Sequence, residues 1–281
     1  MTPRPGRLRW LAPDGFHSLA FVEWGERGAA RPVICVHGLT RTGRDFDRLA
    51  ASLAAQGRWV ICPDMPGRGG SDRLANPALY AVPTYVAACA HLLAALGADS
   101  VDWVGTSMGG LIGMATAAMP GSPIRRMVLN DVGPFIPAAA LSRIKTYLGL
   151  DLAFPDLAAL EAHLRKVHAG FGPMTEADWR HLAETSALRT DNGTIRLHYD
   201  PAIAAPMPDV AEDVDLWAVW ERIAAPVLVL RGAVSDLLLG ETAERMAARP
   251  DVSLHTVPGV GHVPALVDDD QIARVAAFLA G

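Results

Sequence analysis

The feature that most limits what this chain can become is a series of short, largely apolar segments spread along its length. They are Val33 to Val36, Trp59 to Cys62, Val101 to Val104, Met127 to Leu129, Val227 to Leu230 and Ser253 to Val257. Val33-Ile34-Cys35-Val36 shows no polar alternation, which is how a strand buried on both faces reads, and such strands belong to parallel sheets. Between the runs lie stretches of helical periodicity, such as Phe46 to Ala55 with apolar Phe46, Leu49, Ala50 and Leu53, and Val86 to Leu96 closed by Gly97. Alternation of this kind, joined by right-handed crossovers, predicts an α/β fold. Its mostly parallel, doubly wound sheet, of about eight strands, carries helices on both faces and functional loops at the strands' carboxyl ends.

Two departures refine that frame. Leu8 to Leu11 and Ser18 to Trp24 flank Pro13-Asp14-Gly15, which predicts an N-terminal antiparallel hairpin. Between Gly133 and about Pro226 the alternation stops for a span too long to be an ordinary loop. Leu141, Ile144 and Leu148 mark a helix ended by Gly149, and Asp156 starts another through Leu157, Leu160, Leu164 and Val167. Thr175 with Asp178 three residues on caps a third. The expected organisation is a core of residues 1–133 and 226–281 interrupted by a helical cap, 134–225.

Composition excludes several classes of function. The chain of 281 residues is 51% hydrophobic, enough for a large core, and its net charge is −5 with the arginines scattered. That pattern offers no basic face to nucleic acid or to a membrane surface. Cys35, Cys62 and Cys89 are an odd number without metal-ligand spacing, which suits a reducing, cytoplasmic setting. The charged opening is followed by no apolar stretch of signal-peptide length, and no run is long enough to span a bilayer.

The chemistry concentrates in Gly105-Thr106-Ser107-Met108-Gly109, which follows the strand at Val101 to Val104 and precedes the helical run Gly110 to Ala118. Strand, G-x-S-x-G and helix in that order describe a tight turn that presents a nucleophilic serine, with glycines where neighbouring chain leaves no room for a side chain. A serine hydroxyl is a weak nucleophile at neutral pH, so an imidazole must take its proton and an acid must orient that imidazole. His262, in Gly259-Val260-Gly261-His262-Val263-Pro264, follows the last strand and is the expected base. The other histidines read as surface or structural residues. Asp236, shortly after the strand Val227 to Leu230, is the expected acid, with Asp131, at the end of the strand Met127 to Leu129, as the alternative. Backbone N–H groups of Leu39, in His37-Gly38-Leu39, and of Met108 are expected to form the oxyanion hole, while His37 is expected to be structural.

The Asp64-Met65-Pro66-Gly67-Arg68-Gly69-Gly70-Ser71 loop lacks the lysine and hydroxyl residue of a phosphate-binding loop and reads as a tight structural crossover. No G-x-G-x-x-G follows a strand and no histidine pair has zinc spacing, so neither a cofactor nor a metal is expected.

Taken in order, His37-Gly38, the D-x-x-G-x-G-x-S pattern of that loop, the serine turn, Asp236 and Gly261-His262 resemble the α/β-hydrolase fold superfamily, in its esterase- and lipase-like branch with a helical cap. The resemblance spans nearly the whole chain. It implies Ser107, Asp236 and His262 as a triad, Leu39 and Met108 as oxyanion donors, and a small-molecule ester as substrate. Relatives in that fold that open haloalkanes or epoxides use an aspartate where this chain has Ser107, which disfavours those activities. Carbon–carbon bond hydrolases share the Ser107-Met108-Gly109-Gly110 setting, perhydrolases and acyltransferases share the triad, and a non-catalytic small-ligand receptor is the alternative of another class.

Overall fold

The computed structural model describes residues 2–28, 31–208 and 212–281. Residues 29–30, in the loop expected after the hairpin, and 209–211, within the expected insertion, lie outside the described residues.

The hairpin forms as predicted and is longer than its apolar pattern. β1 (Arg4–Ala12) and β2 (Gly15–Trp24) pair antiparallel with Ala12 opposite Gly15, leaving Pro13 and Asp14 as the turn. Strand and helix then alternate: β3 (Val33–Val36), α1 (Asp47–Ala55), β4 (Val60–Pro63), α2 (Val82–Leu96), β5 (Val101–Thr106), α3 (Met108–Ala117) and β6 (Ile124–Asn130). Gly97 ends α2 in the left-handed conformation, φ 63°, which glycine adopts without steric cost. After β6 come β7 (Phe135–Ile136), α4 (Ala138–Lys145), β8 (Ala153–Phe154), α5 (Leu157–Val167), α6 (Glu176–Ser186), β9 (Ala187–Arg189), β10 (Ile195–Leu197), β11 (Val214–Asp215) and α7 (Trp217–Trp220). The alternation resumes with β12 (Val227–Gly232), α8 (Gly240–Ala247), β13 (Val252–Val257) and α9 (Asp269–Ala280).

Eight strands form one sheet in the order β1-β2-β4-β3-β5-β6-β12-β13, parallel from β4 onward. The apolar runs explain its two faces. Ile34, Val36, Ile61, Met127 and Leu129 pack with α2, α3 and α8 on one side, while Val33, Cys35, Val60, Cys62 and Val128 pack with α1 and α9 on the other. Side chains alternate across a strand, so a strand covered on both faces must be apolar at every position. The cysteines are free and buried, filling core volume as small hydrophobes; burial pushes the Cys89 thiol up to about 12.

The span between β6 and β12 carries the helices α4, α5, α6 and α7. Asp156 caps α5 by accepting from Ala159 N at 2.8 Å, and Thr175 and Asp178 form a reciprocal capping box on α6. It also holds small sheets, β8-β10-β9 and β11-β7, whose strands of two or three residues are too short to show a period in sequence. Leu160, Leu164, Trp179, Leu182, Ala183 and Ile195 give this insertion its own apolar cluster. Among the described residues, no helix is long and apolar enough to cross a membrane.

Candidate active site

Ser107 stands between β5 and α3 with φ 50° and ψ −115°, a conformation that an L-residue holds only when its surroundings enforce it. The flanking glycines let neighbouring backbone close in around it. A Cβ on Gly105 would lie 2.4 Å from Gly109 O, and one on Gly109 would lie 1.9 Å from Val36 O. Ser107 N donates to Asn130 O at 3.0 Å, and Asn130 Nδ2 donates to Thr106 Oγ1 and Pro264 O, so β6 ties the serine turn to the histidine loop.

His262 Nε2 lies 3.0 Å from Ser107 Oγ and its Nδ1 lies 2.7 Å from Asp131 Oδ2. A carboxylate only accepts, so Nδ1 carries the proton and Nε2 is left as acceptor for the serine hydroxyl. Asp131 is fully buried and accepts two further hydrogen bonds, from Gly232 N at 2.8 Å and from Ser235 Oγ at 2.5 Å. Its own backbone, at φ 54°, bends away from β6 just after Asn130 while its N–H donates to Leu230 O.

Asp236, the acid that chain order and resemblance pointed to, is not brought to the imidazole. It is exposed and forms a bidentate pair with Arg143 of α4, at 2.5 and 2.9 Å. The reason lies in the turn after β12. Ser235 faces inward to Asp131, and the next residue, Asp236, points outward toward the insertion. The alternative aspartate, Asp131, occupies the place beside His262.

Gly38 lies against the serine, with a Cβ built there 3.8 Å from Ser107 Cβ, and Leu39 shares a cavity with Ser107. Among the described residues the Leu39 N–H has no acceptor, and Met108, as the first residue of α3, has none within its helix. His37 is structural, as expected: Nε2 accepts from Met65 N at 2.9 Å, so Nδ1 donates to Gly38 O at 2.6 Å. Burial, with Arg68 and Arg41 nearby, pushes it down to about 3, so the ring is neutral at physiological pH.

The cavity over Ser107 has a volume of about 380 Å³. Leu39, Ser107 and His262 line it, together with Tyr147, His168 and Phe171 of the insertion. Of the aromatic residues in the insertion, Tyr147 and Phe171 line the cavity, whereas Trp179 and Trp220 are buried in apolar clusters. The His168 ring stacks on Phe171 with centroids 4.3 Å apart, and burial, then the Arg41 charge, hold it well below the usual imidazole range. Gly261 N donates to Gly170 O at 2.8 Å, which joins the insertion directly to the histidine loop.

Sequence reasoning missed Asn130, Ser235 and His168. Asn130 and Ser235 are direct neighbours of the candidate acids, which was the available signal; His168 carried none, because its place in the cavity with Ser107 follows from how the insertion folds back.

The fold and this constellation define an α/β hydrolase. Residues 33–278 match the Alpha/beta hydrolase family, and the chain belongs to it. It is 46% identical over 291 aligned positions to the 3-hydroxybutyrate-oligomer hydrolase of Cupriavidus necator, with 100% of this chain and 99% of that protein covered. It is 29% identical to the 2-hydroxymuconate semialdehyde hydrolase of Pseudomonas putida, with 91% and 89% covered. Among solved structures, an alpha/beta hydrolase from Novosphingobium aromaticivorans superposes with a TM-score of 0.88 at 35% identity, covering 100% of this chain and 99% of that one.

Proposed function

We propose that the chain is a cofactor-independent serine hydrolase of carboxylic esters, and that short oligomers of 3-hydroxybutyrate are its substrate class. The observation that carries the reaction is the relay from Asp131 through His262 to Ser107, at 2.7 and 3.0 Å, opening into the cavity. The substrate class is supported by the identity with the hydrolase of that name over the whole chain.

Ser107 Oγ attacks the ester carbonyl carbon while His262 Nε2 takes its proton, and Asp131 holds the resulting imidazolium in place. The carbonyl oxygen becomes an oxyanion that accepts from the Leu39 and Met108 N–H groups, donors already positioned before charge develops. On collapse His262 returns the proton to the leaving alkoxide, and the acyl group stays on Ser107. Water, deprotonated by His262, then adds to the acyl-enzyme and releases the acid and the free serine. The insertion acts as a cap, and its Tyr147, His168 and Phe171 shape the pocket. The volume is in the range of small-molecule sites, about 300–1,000 Å³.

Incubation with the linear trimer of 3-hydroxybutyrate, with products resolved by mass, tests the proposal. The expected result is release of monomer and dimer, reduced on the order of 10⁴-fold or more in Ser107→Ala because triad members act as a unit. Turnover retained by that variant, or none by the unmodified chain, contradicts it. The kinship with a semialdehyde hydrolase makes a vinylogous diketone the comparison substrate: faster turnover of it than of any ester shifts the assignment to carbon–carbon cleavage.

A further inference from the structure

Arg68 lies in the loop that reads from sequence as a structural crossover, and most of that loop is one. Asp64 accepts from Gly43 N at 2.8 Å and Gly70 N at 2.9 Å, while Ser71 Oγ donates to Asp64 O at 2.6 Å. Gly69 has φ 52°, and a Cβ there would lie 2.1 Å from Asp64 Oδ2. Held in this way, the turn drives the Arg68 side chain into the interior, where it is 1% exposed. An arginine is always charged, and burying one is costly unless its partners compensate. Among the described residues no carboxylate pairs with it. Its donors go to neutral groups: Nε to Leu39 O at 2.9 Å, Nη1 to Pro66 O and to Tyr85 Oη at 2.7 Å each, and Nη2 to Met108 Sδ at 3.8 Å. The guanidinium carbon also lies 5.0 Å from the centroid of the Tyr85 ring and 5.7 Å from that of Tyr80.

One side chain thus contacts the carbonyl of Leu39 and the thioether of Met108, the two residues whose amides serve as oxyanion donors in the proposed reaction. We propose that Arg68 is the positioning residue of the oxyanion hole, fixing the Leu39 loop against the start of α3 and setting a positive charge without a carboxylate partner beside both residues. The proposal rests on the serine-hydrolase reading. It accounts for a buried charge that packing alone would replace with an apolar residue. A cation without a carboxylate partner keeps its field available to an anion that exists only in the transition state, and oriented donors need no reorganisation when that anion forms. The same loop meets the insertion, through Gly69 N to His198 O at 2.8 Å and Asp200 N to Gly67 O at 2.7 Å, and Tyr80 Oη donates to Asp200 Oδ2 at 2.7 Å. The seating of the insertion and the spacing of the oxyanion donors therefore share one anchor.

The test compares Arg68→Met, Arg68→Lys and Tyr85→Phe with the unmodified chain, using steady-state kinetics on an activated ester and the affinities of a matched trifluoromethyl ketone and methyl ketone. The trifluoromethyl ketone adds Ser107 Oγ and presents an oxyanion, whereas the methyl ketone binds as a neutral ground-state mimic. Arg68→Met is expected to lower kcat about 100-fold, near the loss of one oxyanion donor, with KM within about threefold. Its trifluoromethyl ketone affinity should fall by the same factor as kcat/KM while that of the methyl ketone stays. Arg68→Lys keeps the charge without the planar fork and should lose about tenfold. Where Arg68→Met does not fold, Arg68→Lys and Tyr85→Phe, which only removes an acceptor that aims the guanidinium, carry the same comparison with smaller losses. Unchanged kcat in the folded variants, or equal loss of affinity for both ketones, overturns the proposal. An unmodified chain that neither turns over esters nor accepts a fluorophosphonate on Ser107 overturns the serine-hydrolase reading itself, a result distinct from the first two.

Discussion

The carboxyl edge of the sheet and the insertion above it are built on different terms. At the sheet edge, Ser107 after β5, Asp131 after β6 and His262 after β13 meet through hydrogen bonds of 2.7 and 3.0 Å, each fixed by a backbone with little freedom. The insertion contributes no member of that relay. It adds Tyr147, His168 and Phe171 to the cavity, and its Gly170 O accepts from Gly261 N, the neighbour of His262. The difference separates two problems: aligning reactive atoms demands strands and strained turns, while shaping a pocket needs only a roof whose side chains can vary.

The largest effect that can break this contrast lies at the sheet edge, in the two aspartates. Asp131→Asn should lower kcat on an activated ester by about 10³- to 10⁴-fold, as losing the group that sets the imidazole tautomer does. Asp236→Asn, which weakens an exposed ion pair with Arg143 and leaves the relay untouched, should stay within about threefold. The reverse ranking would return the acid to the turn after β12. Next in size is Ser235→Ala, which removes one of the three hydrogen bonds to Asp131 and should cost about tenfold in kcat, the worth of a hydrogen bond to a charged group. In the insertion, Tyr147→Ala should change kcat/KM by about tenfold for longer acyl chains and leave the acetyl ester within about threefold, as pocket discrimination does. An equal loss for every ester would make Tyr147 part of the reaction machinery. Smallest is the Arg143–Asp236 pair as a stabiliser: a double-mutant cycle in urea should return under about 1 kcal/mol, since both side chains are exposed.

The same contrast explains what sequence could reveal. The sheet was legible because Val33 to Val36 and its counterparts carry the full signature of a doubly covered strand, and Ser107 because its constraint is local: two glycines, a strand before and a helix after. His262 was legible for a similar reason, lying in a loop of small residues between the last strand and the last helix. The acid was not, because Asp131 and Asp236 both follow strands and the choice depends on which way one turn points. Ser235 facing in and Asp236 facing out is a three-dimensional outcome that neither residue's neighbours encode. In the insertion, helix starts at Asp156 and Thr175 were readable from their caps, but which aromatic residues line the cavity was not. Trp179 and Tyr147 look alike in sequence, and only packing makes one the core of the insertion and the other a wall of the pocket. Arg68 was read as part of a structural loop because what it touches, Leu39 and Met108, lies 29 and 40 positions away in sequence.

The most direct test of the account is where a fluorophosphonate attaches. Mass-spectrometric mapping of the intact chain after labelling should find one adduct, on Ser107, forming far more slowly in His262→Ala and in Asp131→Asn but at the unmodified rate in Asp236→Asn. An adduct on a different residue, no adduct at all, or slowing in Asp236→Asn rather than Asp131→Asn would contradict it.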